Sequence, residues 1–186
     1  MGSKIWSAAS ALLLVGLVAT NMVLQHRYHQ AVSRIEYLQL SQAPTVGSTI
    51  SNLSGTDING ARYVEDYSNR NDTSLLLVFS PACQYCQRNW PNWSRLVQEY
   101  SPSLNVVYAD LSASVTSEYF KNFGVAVPSH LVKFNSLAAQ EHSLFVTPTT
   151  LVVGPKGLVK YVHVGVLDDN MVEQIGQFLS EARSVK

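Results

Sequence analysis

Within one short stretch the hydrophobic pattern of this chain changes period. Ser74 to Ser80 reads SLLLVFS, an almost unbroken apolar run, which is the pattern of a central strand buried on both faces. From Tyr85 to Tyr100 the apolar residues recur at helical spacing instead, with Cys86, Trp90, Trp93, Val97 and Tyr100 on one face. Pro91 inside that stretch is expected to kink the helix. A buried strand feeding directly into an amphipathic helix restricts the chain to folds that layer helices on a sheet.

The neighbouring segments extend the alternation. Ser48 to Val64 shows short alternating runs around Asn59-Gly60, a hairpin turn pair. Leu104 to Tyr108 reads as a second buried strand, followed by a helical segment around Val115 to Phe123. Between Gly124 and Leu144 a short strand and a further helix are expected. FVTPTTLVVGPKGLVKYVHVG then gives two strands joined by the turn Gly154-Pro155-Lys156-Gly157. Asp168 or Asp169 caps a last helix, with Val172, Ile175, Phe178, Leu179 and Ala182 facing inward. The order predicts an α/β sandwich with a mixed central sheet.

At 186 residues, 46% hydrophobic and 14% charged, the chain has room for one domain with a core and an appendage. Its formal net charge of zero removes the electrostatic term on which nucleic-acid binding depends. The appendage is N-terminal. Ile5 to Leu24 is a stretch of 20 residues without a charge, about 30 Å as a helix and enough to cross a bilayer core. Val18-Ala19-Thr20 is a poor cleavage site for a signal peptidase, so an uncleaved anchor is expected over residues 1–24. Leu24, Tyr28, Ala31, Ile35 and Leu38 continue the helical spacing as a stalk, with a linker to residue 44 and the domain over 45–186. Lys4 on one side and Arg27 and Arg34 on the other nearly balance the positive-inside rule. The long folded tail favours a domain facing the extracytoplasmic side.

The chain has two cysteines, Cys83 and Cys86, both at the junction where the strand gives way to the helix. A C-x-x-C pair serves zinc when a second ligand pair completes the tetrahedron. No second cysteine pair exists, and the histidines at 26, 29, 130, 142 and 163 are scattered. The other use is reversible disulfide chemistry. A cysteine at a helix N-terminus faces unpaired N–H groups that favour its thiolate, and a second cysteine one turn on can resolve a mixed disulfide. Two packed core cysteines are the bland reading; the strand, the junction and the spacing together favour redox chemistry.

FSPACQYCQRNWP, the later VTPTT and the order of strands and helices resemble the thioredoxin fold. The N-terminal anchor, the hairpin before the first long strand and the insertion before TPT resemble its membrane-tethered TlpA/ResA-like branch of thiol–disulfide oxidoreductases. The resemblance covers about Val46 to Ser184. It implies Cys83 as the attacking sulfur and Cys86 as the resolving one, with Pro91 as the helix proline. Pro148 matches the proline that follows a cis bond opposite the disulfide, and Thr147 before it would present its backbone to an extended substrate. Read from residues alone, Pro148 is equally a trans proline opening an edge strand. Tyr85 would stand on the substrate-facing rim, whereas Trp90 and Trp93 belong to the inward stripe. Implied partners are protein thiols or disulfides and an upstream redox donor, with no cofactor.

Two positions depart from the family pattern. Leu77 stands where thioredoxins keep a buried acid six residues before the first cysteine, and Asn89 where TlpA/ResA-like proteins often carry a glutamate. Relatives use these carboxylates to relay the proton of the resolving cysteine, which leaves Asp110 or Glu118 as distant candidates for a base. A competing function is a thioredoxin-fold copper carrier, since thiolates suit Cu(I). That reading would draw a third ligand from His142 or His163, and the C-x-x-C spacing is one residue short of such carriers. A peroxiredoxin-like peroxidase would need proline at Leu76 or Phe79 and is set aside.

Overall fold

The computed structural model describes residues 16–30, 32, 43–100, 104–134 and 143–184, in two compact units, Met1–Leu40 and Ser41–Lys186. In the first unit residues 16–30 are helical. Among the described residues no helix is long and apolar enough to cross a membrane. Residues 5–15 of the expected span lie outside the described residues, as do Ala31, Ile35 and Leu38 of the expected stalk.

The second unit is built on one sheet of seven strands. In chain order these are β1 (Asn52–Thr56), β2 (Arg62–Asp66), β3 (Ser74–Phe79), β4 (Asn105–Asp110), β5 (Leu131–Phe134), β6 (Thr149–Val153) and β7 (Val159–Val164), arranged in space as β2-β1-β5-β4-β3-β6-β7. Its helices among the described residues are α1 (Gln84–Tyr100), α2 (Ser117–Asn122) and α3 (Asp169–Ser184). β3 pairs parallel with β4 and antiparallel with β6, so the sheet is mixed as the element order predicts. The expected hairpin is β1–β2, with Asp57 to Gly60 closing the turn. The further helix expected before Leu144 falls on residues 135–142, outside the described residues.

Every residue of β3 is buried, and its alternation divides the core. Leu75, Leu77 and Phe79 join Trp90, Trp93, Leu96, Phe120, Ile175 and Leu179 on the helical face. Leu76 and Val78 join Ile50, Tyr67, Val107, Val132 and Leu151 on the other. The period of two along one strand thus supplies both layers. Three sequence expectations shift in detail. α1 fully buries Asn89 and Leu96 as well, while Val97 and Tyr100 are half-buried and packed against the same core. β4 begins with two half-buried residues. Phe178 of α3 is 37% exposed and lies against the Tyr161 ring, while Val172, Ile175 and Leu179 are buried; the side chain of Ala182 lies outside the described residues. Asp168 is the cap of α3, accepting the Met171 N–H at 2.8 Å.

α1 is continuous through Pro91 and is fastened by aromatic packing. The Trp90 ring lies 5.4 Å from Trp93, 6.0 Å from Phe79 and 5.3 Å from Phe123, centroid to centroid. Trp93 Nε1 donates to Thr150 Oγ1 at 2.9 Å, so its buried polar tip is paired.

The incoming chain is stitched to the turn between β6 and β7. Gly47 N–H donates to Val159 O, Val159 N–H to Ser48 O and Ile50 N–H to Gly157 O, each at 2.9 Å. At Gly157 φ is +77° and a Cβ would stand 1.8 Å from Ile50 O, whereas at Gly60, with φ +85°, a Cβ meets open space. Gly157→Ala therefore combines left-handed strain with a broken stitch. It should cost about 3 kcal/mol, on the order of 10 °C in melting temperature. Gly60→Ala should cost only about 1 kcal/mol, roughly 3 °C. Equal shifts of the two variants in calorimetry would refute the assignment.

Candidate active site at the helix N-terminus

Phe79 ends β3, and the chain turns through Ser80 to Ala82 before α1 begins at Gln84. The turn is closed by Cys83 N–H donating to Ser80 O at 3.0 Å, and Cys83 O accepts the first helical bond from Gln87 N–H at 3.2 Å. Cys83 is thus the N-cap. Its Sγ accepts the Cys86 N–H at 3.3 Å, the contact that a serine or aspartate oxygen usually makes with the third helical residue. The first turn of α1 carries no acidic residue, so the sulfur is the group there that can take up negative charge.

The two thiols, both free, are held unequally. Burial works against ionisation of Cys83, but hydrogen bonds from the side chains of Cys86 and Thr147 and from the N–H groups of Cys86 and Tyr85 outweigh it, so its thiol lies below the ordinary range. Cys86 is fully buried. Burial, and then the hydrogen bond with Cys83, push its thiol up to about 12. The two sulfurs are therefore unequal, Cys83 the more readily ionised and Cys86 the one held protonated.

The peptide bond Thr147-Pro148 is cis, as the resemblance implies. The Cys83 thiol donates to Thr147 O at 3.5 Å, which brings that loop against the reactive sulfur. This contact favours the protonated form and is given up when Cys83 ionises. Pro148 O in turn accepts the Gly165 N–H at 2.8 Å. Tyr85 is 58% exposed, with the Arg88 guanidinium 5.9 Å from its ring centroid. Trp90 and Trp93 are buried, core residues rather than rim.

The positions that lack a carboxylate are closed to water. Leu77 is fully buried in the sheet between Tyr108 and Thr150. Asn89 is also fully buried; its Oδ1 accepts the Leu167 N–H at 2.9 Å, and its Nδ2 has no hydrogen-bond partner among the described residues. An unpaired buried donor costs on the order of 1–3 kcal/mol. Asp110 is buried with both oxygens engaged, Oδ1 by Ser112 and Oδ2 by the Val115 N–H at 2.7 Å. It ties down the chain after β4. Glu118 is 73% exposed and faces Lys121. Neither acid is held against the cysteine pair by a hydrogen bond.

Sequence reasoning overlooks Tyr119. Its hydroxyl accepts the Trp90 Nε1–H at 3.0 Å. Burial, opposed by that hydrogen bond, pushes it up to about 12, with the charges of Cys86 and Cys83 adding to the effect. It is thus a phenol within electrostatic reach of both sulfurs. Its partner is 29 positions away, so no local pattern marks it. Among the described residues no group of three or more His, Cys, Asp or Glu side chains could hold a metal ion. His163 is half-buried on β7, its ring held below the ordinary range by burial, against a hydrogen bond at the Val166 backbone. His142 lies outside the described residues.

No family model matches the chain. The thioredoxin-like protein YneN of Bacillus subtilis is 25% identical over 105 residues, 54% of this chain and 61% of YneN, less than two thirds of that relative's length. The thioredoxin domain of a thiol-disulfide oxidoreductase from Bacteroides vulgatus superposes with a TM-score of 0.60 at 12% identity, over 74% of this chain and 99% of that one. StoA from Bacillus subtilis superposes with a TM-score of 0.53 at 18% identity, over 73% and 98%. The chain is a thioredoxin-fold protein. The thioredoxin-like sandwich and mixed sheet expected from the sequence are thereby borne out, and its structural neighbours include thiol–disulfide oxidoreductases.

The unequal thiols of this thioredoxin-like domain set a pH profile. The Cys83 shift is downward, so thiolate appears at lower pH than in a free cysteine, near 8.5. The iodoacetamide rate at Cys83 should rise to its plateau with a midpoint below that value. Cys86, held at about 12, should stay unlabelled across the same range. Mass spectrometry of each site against pH reads both, and a midpoint for Cys83 at or above the free value would contradict the cap geometry.

Proposed function

We propose that this chain is a membrane-tethered thiol–disulfide oxidoreductase of the TlpA/ResA-like kind, with its domain on the extracytoplasmic side. The observation that carries the reading is the pairing of an ionisable N-cap sulfur with a buried, protonated sulfur one turn behind it, under the Thr147-Pro148 loop.

The Cys83 thiolate attacks one sulfur of a protein disulfide. A Cys83–partner bond forms, the partner's S–S bond breaks, and the released sulfur takes a proton. Cys86 then loses its proton and attacks Cys83 Sγ. The Cys83–Cys86 disulfide forms, the second partner sulfur leaves, and two electrons have passed from the domain to its partner. A dithiol donor restores the pair by the reverse sequence. The backbone of Thr147 is suited to align an extended partner, with Tyr85 on the rim. Reduction or exchange of disulfides during cytochrome or metal-site maturation is the task that this assembly fits, and it requires no cofactor.

Cys83→Ser should lower insulin-disulfide reduction to background, and Cys86→Ser should accumulate a mixed disulfide visible on non-reducing gels. Undiminished reduction by Cys83→Ser would refute the assignment. The tether is tested separately. The full chain should remain in the membrane fraction after alkaline extraction, with its domain open to protease added from the extracytoplasmic side; release into the soluble fraction would refute it.

A further inference from the structure

The link between β7 and α3 touches both halves of the cysteine site through backbone groups alone. Asn89 Oδ1 accepts the Leu167 N–H at 2.9 Å, and Asn92 Nδ2 donates to Leu167 O at 2.7 Å. The two amides stand three residues apart on α1 and grip one residue's N–H and C=O. Two residues earlier, Gly165 N–H donates to Pro148 O at 2.8 Å. A continuous path therefore runs from the helix that carries Cys86, through Leu167 and Gly165, to the loop whose Thr147 O accepts from the Cys83 thiol.

Stability alone gives a poor account of Asn89. Its Nδ2 has no partner among the described residues and the side chain is fully buried, a position where an apolar residue of similar size avoids stranding a donor. Leu167 is itself buried among Val172 and the core of the helical face, so the link has an apolar anchor without the amides. What the amides add is direction: two hydrogen bonds fix the Leu167 backbone relative to α1, which burial of a leucine does not do.

We propose that Asn89 and Asn92 are positioning residues for the cysteine pair, clamping the Leu167 backbone so that the Pro148 loop is held at a set distance from the start of α1. The proposal rests on the oxidoreductase reading for its purpose and on the observed bonds for its geometry. With the clamp in place, Thr147 stays against Cys83, and Cys86 stays shut away from water. With the clamp loosened, the Thr147 loop draws back from Cys83, and water reaches Cys86.

The test is site-resolved alkylation by iodoacetamide on the folded, full-length chain, compared among wild type, Asn89→Ala, Asn92→Ala and a control, Asn105→Ala. Asn105 bonds Glu65 and Ser74 at the start of β3, the end of the strand remote from the cysteines. In Asn89→Ala Cys86 should become labelled, and the Cys83 midpoint should leave its wild-type value as the Thr147 contact is lost. Asn92→Ala should move both readouts in the same direction and less far. It also carries the test if Asn89→Ala fails to fold. Asn105→Ala should leave both at the wild-type values. Wild-type midpoints and an unlabelled Cys86 in the folded clamp variants overturn the proposal, as do equal changes in Asn105→Ala. The readout needs no protein substrate. An inactive wild-type enzyme in the insulin assay therefore refutes the oxidoreductase reading and leaves the clamp standing, and the converse result separates the two in the other direction.

Discussion

A sulfur atom at a helix cap is the interaction on which the rest of this site depends. Helix starts leave N–H groups without intrahelical partners, and here the third of them is satisfied by Cys83 Sγ. An oxygen at that position would be an inert cap. A thiol turns the same geometry into a chemical asymmetry, because the donors favour the charged form of the group that accepts from them. The energy that would close a helix end is thereby spent on making one cysteine acidic.

That arrangement requires the start of α1 to stay fixed against the sheet. Two tryptophans one turn apart do this from inside, with Trp93 tied to Thr150 on β6 and Trp90 seated among Phe79, Tyr108 and Phe123. Of the neighbouring positions, Leu77 is hydrocarbon and Asn89 an amide, and the oxygens of the buried Asp110 are occupied by Ser112 and Val115. Burial, and then the hydrogen bond with Cys83, hold the Cys86 thiol protonated.

Much of this was legible because it is local. The unbroken apolar run at Ser74–Phe79, the period change after it, the Asn59-Gly60 turn and the cap at Asp168 each depend on neighbours in sequence. The cysteine pair is a short local motif, and the cis bond before Pro148 was implied by the family resemblance. What could not be read depends on partners far along the chain. Asn89 looked like a missing carboxylate, and its role as an acceptor for Leu167 spans 78 positions. No sequence pattern marks Glu65. It is buried under Arg70, Tyr63, His130 and Asn105, a network assembled from four separate segments. Val97 and Tyr100 do lie on the inward face of α1, half-buried against the core; periodicity marks the stripe, and the element packed against it decides how deeply each residue is buried.

The stitch between Gly47–Ile50 and the turn at Gly157 has a mechanical consequence. Val153 before that turn pairs with Ser74, the first residue of β3, while the cysteines follow Phe79, the last. The incoming chain therefore meets the sheet at the pole opposite the sulfurs. A pull along that chain is borne in shear by the backbone bonds of Gly47, Ile50 and Val159, and the Thr147-Pro148 loop carries none of it. A load on that pole of the sheet leaves the pole that carries the cysteines unstrained.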